Sequence, residues 1–382
     1  MHHSFTLFFD YKKWFYLFFL VLLFIFGCDK DVNFIKVYNE PYFGYASSLL
    51  KASNGGYIIT GWGNQSLKSS TENGIVIKTD LNGNKEWIKE YGDEDIFERI
   101  KFALKSKIGG YYLGGEKGGD IWLINIDENG NILWERTFGE NFIETGEDAC
   151  FIANDTTLFI IGNSWESGNG DIIVIKINYQ GEVIWRKTFG DWRSEKGYAC
   201  VFDNIGSNLI IAGTKHTSIE NGLDGFLVKI DSNGKLLWQT TQPQEGGDIL
   251  WDVETTFDGK ILAVGTSTSF GLGTSIIIWK MDENGDKLNV NIFDELKYAS
   301  AKHITKNSDN TFSVVGRSGN FSGQKSTNML ILNLDKFGNI ESHAYESKSF
   351  GLEGKSLINI EDGTSIFSGI THNQNIFMMK NN

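Results

Sequence analysis

Asp127-Glu128-Asn129-Gly130-Asn131-Ile132-Leu133-Trp134 is the stretch whose reading decides the fold. An Asp-x-Asn-Gly turn is followed, four residues after its glycine, by a tryptophan. Near-copies occur at Asp80-Leu81-Asn82-Gly83 with Trp87, at Asn178-Tyr179-Gln180-Gly181 with Trp185, and at Asp231-Ser232-Asn233-Gly234 with Trp238. Two weaker copies follow at Asp282-Glu283-Asn284-Gly285 and Asp335-Lys336-Phe337-Gly338. The glycines are 47, 51, 53, 51 and 53 residues apart. A fixed period of this size marks a repeat architecture.

One unit gives the architecture. Arg99 to Lys105 reads as a strand, and Gly109-Gly110 as a turn. Tyr111 to Gly114 and Ile121 to Ile126 are the next two strands. After the Asp127 turn, Leu133 to Phe138 is the fourth. Four short strands in about 50 residues describe a propeller blade. The third strands are continuous apolar runs, such as Ile172-Ile173-Val174-Ile175 and Ile276-Ile277-Ile278-Trp279. Alternation is lost where both faces of a sheet are covered, as happens when blades stack. The last third strand, Ile376 to Lys380, has no fourth strand after it, because the chain stops at Asn382. Phe34-Ile35-Lys36-Val37-Tyr38 supplies one, because it aligns with Trp87-Ile88-Lys89-Glu90-Tyr91. An N-terminal strand that completes the last blade closes the ring and removes an open edge. The expectation is an all-β, seven-bladed β-propeller over residues 33–382.

Composition agrees with an ordered all-β chain. Among 382 residues there are 44 glycines and 2 prolines, with 14% aromatics. The formal net charge of −13 opposes phosphate backbones, so no nucleic-acid partner is expected. Cys150 and Cys200 occupy matching places in successive units, each after an alanine. They read as buried thiols packing between repeats. A disulfide is the alternative, limited by the distance between equivalent residues of neighbouring units.

Residues 1–27 are expected to leave the mature protein. Lys12 and Lys13 precede an apolar run from Trp14 to Phe26, followed by Gly27-Cys28. This order describes a secretory signal, and the run is short for a membrane span. Ile25-Phe26-Gly27-Cys28 resembles the lipoprotein box of bacteria, and the resemblance implies a lipidated Cys28 as the first mature residue. An uncleaved membrane anchor is the alternative. Residues 28–32 form a tether. Asp29-Lys30-Asp31 resembles the surface-export signal of Bacteroidota lipoproteins, whereas an aspartate directly after the cysteine favours inner-membrane retention in enterobacteria. The expected location is the outer membrane or cell surface, with the membrane reached through lipid.

The turns sort the loops by face. Links between strands one and two, and the Asp-x-x-Gly turns, are tight and share one face. Links between strands two and three, and between blades, are longer and share the other. The long-loop face carries Asp93, Glu94, Asp95, Glu140, Glu144, Glu147, Asp148, Asp191, Glu195, Glu245 and Asp248. Arg193, Lys196 and Lys297 offset them in part. Trp165, Trp192 and Trp251 lie in or beside the same links. A solvated acidic rim is the bland reading. The functional one makes Trp165, Trp192, Trp251, Asp148 and Asp248 a ligand face for a basic protein or a carbohydrate.

Other motifs carry less chemistry. Asp282-Glu283-Asn284-Gly285-Asp286 could open a calcium loop, but Leu288 and Val290 are strand residues where ligands belong. Trp87, Trp134, Trp185 and Trp238 could stack on sugars, but they read better as packing between blades. The Asp-x-x-Gly-x-x-x-Trp repeat resembles the docking motif of quinoprotein-like (PQQ-type) propellers in four units. Asn289 and Ser342 stand in the tryptophan place of two others. That family uses eight blades and a vicinal disulfide, so no quinone is expected here. The chain also resembles bacterial lipoprotein propellers whose outer strand ends Trp-x-Lys-x-Tyr/Phe-Gly. His216, His303, His343 and His372 are isolated, and no nucleophile or phosphate-loop motif occurs. No catalytic residue, metal or cofactor is therefore assigned. The expected function is a non-catalytic, monomeric binding or scaffolding lipoprotein of the envelope. A glycan-acting hydrolase or lyase with a site at the channel mouth is the alternative.

Overall fold

The computed structural model describes residues 32–39, 43–64, 71–93, 95–152, 156–218, 222–242, 246–270, 273–296, 298–319, 327–360 and 363–381. Within them lie 28 strands in seven four-stranded antiparallel sheets. Six blades are consecutive, the first within residues 43–91 and the sixth within residues 300–346. The seventh has the order β1-β28-β27-β26. Here β1 is Val32–Tyr38, β26 Leu352–Asn359, β27 Ser365–Thr371 and β28 Ile376–Asn381. Ile35 pairs with Met379 and Val37 with Phe377. The all-β, seven-bladed propeller is the observed fold. The leader, Cys28 and the acidic triplet after it lie outside the described residues.

The innermost strands are β2 (Phe43–Lys51), β6 (Glu98–Lys105), β10 (Glu144–Phe151), β14 (Glu195–Phe202), β18 (Asp248–Thr255), β22 (Ser300–Lys306) and β26. The continuous apolar runs form the third strands. Ile172, Ile173, Val174 and Ile175 are fully buried, and alternate side chains enter the cores on either side of the blade. Two-sided burial therefore replaces alternation, as the pattern requires.

The tryptophans join neighbouring blades. A methyl group on Gly130 would lie 2.9 Å from Cη2 of Trp87, one blade earlier. Trp134 stands against Gly181, Trp185 against Gly234 and Trp238 against Gly285 in the same way. Only a turn residue without a side chain lets the indole approach so closely. Where Asn289 replaces tryptophan, Leu262 covers Gly338 instead. Ring closure repeats the pattern. Phe34 of β1 covers Gly83, and the Tyr38 hydroxyl donates to the Gly83 carbonyl at 2.9 Å, as Tyr91 does to Gly130. Lys36 and Lys89 reach Asn84 and Asn131 in the same relation. β1 thus acts as the outer strand of blade seven and docks on blade one.

The repeated aspartates are occupied by their own turns. Asp127 Oδ1 accepts from the Asn129 and Asn131 amides, both at 2.8 Å, and Oδ2 accepts from the Asn131 side chain. Asp80, Asp231, Asp282 and Asp335 hold the equivalent amides. These bonds, led by those from Asn131, lower the Asp127 pKa.

The cysteines pack between repeats, as expected, and lie closer than the limit placed on the disulfide alternative. Cys150 and Cys200 meet across the boundary of blades three and four, with sulfurs 3.0 Å apart and both thiols free. Stacked blades bring equivalent inner-strand positions together at the centre of the ring.

Candidate functional site

Every inner strand carries a β-bulge at the same place. The register shifts fall between Ala46 and Ser48, Ile100 and Phe102, Gly146 and Asp148, Gly197 and Ala199, Leu250 and Asp252, Ala301 and His303, and Gly354 and Ser356. Opposite each bulge the second strand has a glycine: Gly61, Gly115, Gly162, Gly213, Gly265, Gly316 or Gly369. A methyl group there would lie 1.7 to 2.0 Å from the carbonyl oxygen two residues before the bulge. Any side chain would push that carbonyl away, so glycine is the residue that permits the bulge.

A bulge leaves one residue unpaired and re-aims its side chain. The seven residues are Ser47, Lys101, Glu147, Tyr198, Trp251, Lys302 and Lys355, one per blade. All are half-buried, and all line one cavity of about 340 Å³ in the central channel. The rest of the lining, including Leu49, Leu50, Ala103, Leu104, Leu357 and Ile358, lies C-terminal to the bulges. The cavity therefore occupies the half of the channel that leads to the tight turns.

The ring is electrostatically uneven. Lys101 Nζ lies 2.7 Å from Glu116 and 2.8 Å from Glu147. Burial alone would lower its pKa, but the two carboxylates outweigh burial and raise it. Lys355 lies 2.6 Å from Glu353, which Arg317 also approaches at 3.6 Å. Lys302 has no carboxylate oxygen within ion-pair distance among the described residues. Its ammonium stands 3.5 Å from the centroid of the Trp251 ring. Trp251 is held by its indole N–H, which donates to Thr266 at 3.1 Å, and by the Tyr198 ring at 4.8 Å. Burial, then the nearby Lys355 charge, lowers the Lys302 pKa to about 7.

Two carboxylates behind the ring clip blades together. Asp148 accepts from the Ala149 amide at 2.8 Å and from the Cys200 amide of the next blade at 2.9 Å. Asp252 accepts from the Val253 and Ile304 amides, both at 2.8 Å. Burial raises the Asp148 pKa to about 6 and the Asp252 pKa well above the ordinary range. His303, beside Asp252, is lowered by burial to about 4.

The sequence-chosen ligand residues do not stay together. Trp251 and Asp148 line the channel cavity. Trp165 and Trp192 belong to the long links of blades three and four. Trp192 is 75% exposed with Arg193 over its ring, and its carbonyl accepts from Asn169. Asp248 must be corrected: it is fully buried, accepts from Ser269 at 3.1 Å, and presents no charge to the rim. Glu144 and Glu195, expected on the acidic face, are also fully buried. Glu144 is bound by Arg186 and Ser164, and Glu195 by Lys215 at 2.8 Å. These carboxylates begin their inner strands and fasten them to neighbouring side chains. The ring residues Ser47, Lys101, Tyr198, Lys302 and Lys355 were missed. The available signal was the second-strand glycine, which recurs in all seven blades while the tryptophan recurs in four.

Comparisons with known proteins support the architecture alone. No family model matches the chain, and no curated protein matches it. Among solved structures it is similar to Sqt1 from Chaetomium thermophilum, at 10% identity and a TM-score of 0.50, over 85% of this chain and 79% of that one. It is also similar to a protein of unknown function from Bacteroides caccae, at 11% identity and a TM-score of 0.47, over 75% and 93%. Drosophila Plexin A, solved in complex with Semaphorin 1b, gives 8% identity and a TM-score of 0.49, over 92% and 87%. At 10% identity the likeness to Sqt1 extends to the fold and no further.

Proposed function

We propose that this protein is a lipid-anchored, monomeric binding propeller of the bacterial envelope that holds its ligand in the central channel without transforming it. The observation that carries the reading is the ring of bulge residues: one backbone position, repeated seven times, bears five residue types around a cavity of ligand size. The order of basic residues, apolar run and Gly27-Cys28 supports the anchor. The Asp148 and Asp252 oxygens hold backbone amides, which favours a binder over an acid–base enzyme.

Two experiments test this reading. Cys28→Ser should abolish labelling by a fatty-acid probe, and a normally labelled, matured mutant would refute the anchor. Native mass spectrometry of protein purified from its envelope should detect a bound small molecule. Ser47→Trp places in blade one the residue that blade five already carries at this position, and it should exclude that molecule. Trp192→Ala should not. Equal occupancy in folded Ser47→Trp protein, with loss in Trp192→Ala, would move the site to the long-loop rim.

A second reading, a glycan-acting hydrolase or lyase, is favoured by the raised pKa values of Asp148 and Asp252 beside the cavity. Turnover of an acidic polysaccharide that disappears in Asp252→Asn would establish it.

A further inference from the structure

We propose that the channel cavity is a site for a small hydroxylated organic monoanion, a sugar acid, whose carboxylate is received by Lys302. The inference rests on the channel-binding reading and adds the ligand's charge and class.

The argument begins with charge compensation. Around the ring stand four cations, Lys101, Lys302, Lys355 and Arg317. Glu116, Glu147 and Glu353 pair with Lys101, Lys355 and Arg317, while Asp148 and Asp252 are engaged by backbone amides. Lys101 is bracketed by two of these carboxylates, and Glu353 serves both Lys355 and Arg317. Lys302 alone of the four has no carboxylate oxygen within ion-pair distance among the described residues. A desolvated ammonium without a counterion is costly, and the indole face of Trp251 offsets only part of that cost. An anion entering the cavity supplies the missing charge. One unpaired cation matches a carboxylate better than a phosphate dianion.

The remaining lining describes the body of the ligand. Ser48, Tyr198 and Thr305 line the same cavity, and their hydroxyls make no hydrogen bond to protein among the described residues. Leu50, Leu104 and Ile358, half-buried in the same lining, add apolar surface. Hydroxyls without a protein partner beside apolar side chains suit a polyhydroxylated ring, because the ligand's hydroxyls can take over the hydrogen bonds that water makes there. A cavity of about 340 Å³ holds a molecule of one or two rings.

Protonation is linked to this binding. The groups facing Lys302 are Trp251 and Asp252 from β18, His303 from β22 itself, Glu353 and Lys355 from β26, and Arg317 from the neighbouring strand of blade six. The free amine gives up its proton near pH 7. An anion favours the charged form, so binding above that pH takes up a proton.

Isothermal titration with D-glucuronate, acetate and D-glucose tests the inference. D-glucuronate should bind wild-type protein, with acetate weaker and D-glucose weaker still. Its affinity should fall roughly 50-fold from about pH 7 to about pH 9, and buffers of different ionisation heat should report uptake of close to one proton at the higher pH. Lys302→Met should lose the binding. Lys302→Arg should keep it and lose the pH dependence, because a guanidinium stays charged; any dependence left belongs to Asp252 or His303. Acetate binding as tightly as D-glucuronate would overturn the hydroxylated body. D-glucose binding as well as D-glucuronate, or unchanged binding by Lys302→Met, would overturn the anion site while leaving channel binding intact. Absence of heat with every carboxylate at millimolar concentration, in folded protein, would also overturn it. The occupant displaced by Ser47→Trp would then decide the broader reading separately.

Discussion

The outer edge and the bore of this propeller use repetition in opposite ways. At the outer edge, blade after blade places the same indole on the turn glycine of its neighbour, and β1 imitates it with Phe34. At the bore, seven identical bulges present Ser47, Lys101, Glu147, Tyr198, Trp251, Lys302 and Lys355. Uniform chemistry at a repeated position marks a contact that every blade needs in order to stack. Varied chemistry on a uniform backbone marks a position free of that duty. The glycine facing each bulge belongs to the first class, although it stands beside the second.

This comparison can be broken at several points. Deleting residues 32–38 should have the largest effect, because it strips the outer strand from blade seven and its docking on blade one. Cooperative melting should be lost or shifted far down, with self-association through the exposed edge; an unchanged, monomeric melt would refute closure by β1. Gly162→Ala should come next. Its methyl would stand 1.9 Å from the Thr145 carbonyl oxygen, and overpacking against backbone should cost about 3 kcal/mol or more by chemical denaturation. A neutral result would show that the glycine is not what permits the bulge. Trp134→Ala, at the outer edge, should cost about 2 kcal/mol, less than a fully buried tryptophan because the ring is only half-buried.

The bore should respond to chemistry more than to truncation. Mild oxidation by a small disulfide should link Cys150 to Cys200, releasing two equivalents of the reagent's thiol and removing two hydrogens from the protein. Closing a loop of about 50 residues should raise stability by up to about 4 kcal/mol in the chain-entropy account. Full reaction of both cysteines with alkylating agent after such treatment would contradict the contact. A further test of the bore concerns pH. Lys302 has a folded pKa of about 7, below its unfolded value of 10.5, so the unfolded chain binds more protons between those limits. Wild-type stability should therefore gain from this group as pH rises from about 7 to about 10. Lys302→Met should flatten the rise, and an identical slope in both proteins would show that this lysine is not desolvated.

What the chain determined by itself is what short segments can encode. Asp127 and Gly130 specify a hairpin within a few residues, and Ile172 to Ile175 announce a strand covered on both faces. Repeated at a constant interval, these signals count the blades, and the alignment of Phe34–Tyr38 with Trp87–Tyr91 closes the ring. Tertiary structure alone decided the interior of the channel. Lys302 and Trp251 are 51 residues apart in sequence, yet they meet because neighbouring blades carry the same bulge. Glu144, Glu195 and Asp248 looked like rim charges because a carboxylate at a strand's first residue reads the same whether it faces water or an arginine. Cys150 and Cys200 could be read as thiols packing between repeats, but that they meet each other is a property of the assembled ring. Local hydrogen bonding and apolar periodicity are written along the chain, whereas burial, charge pairing and cavity shape arise between segments about 50 residues apart and exist once the ring is closed.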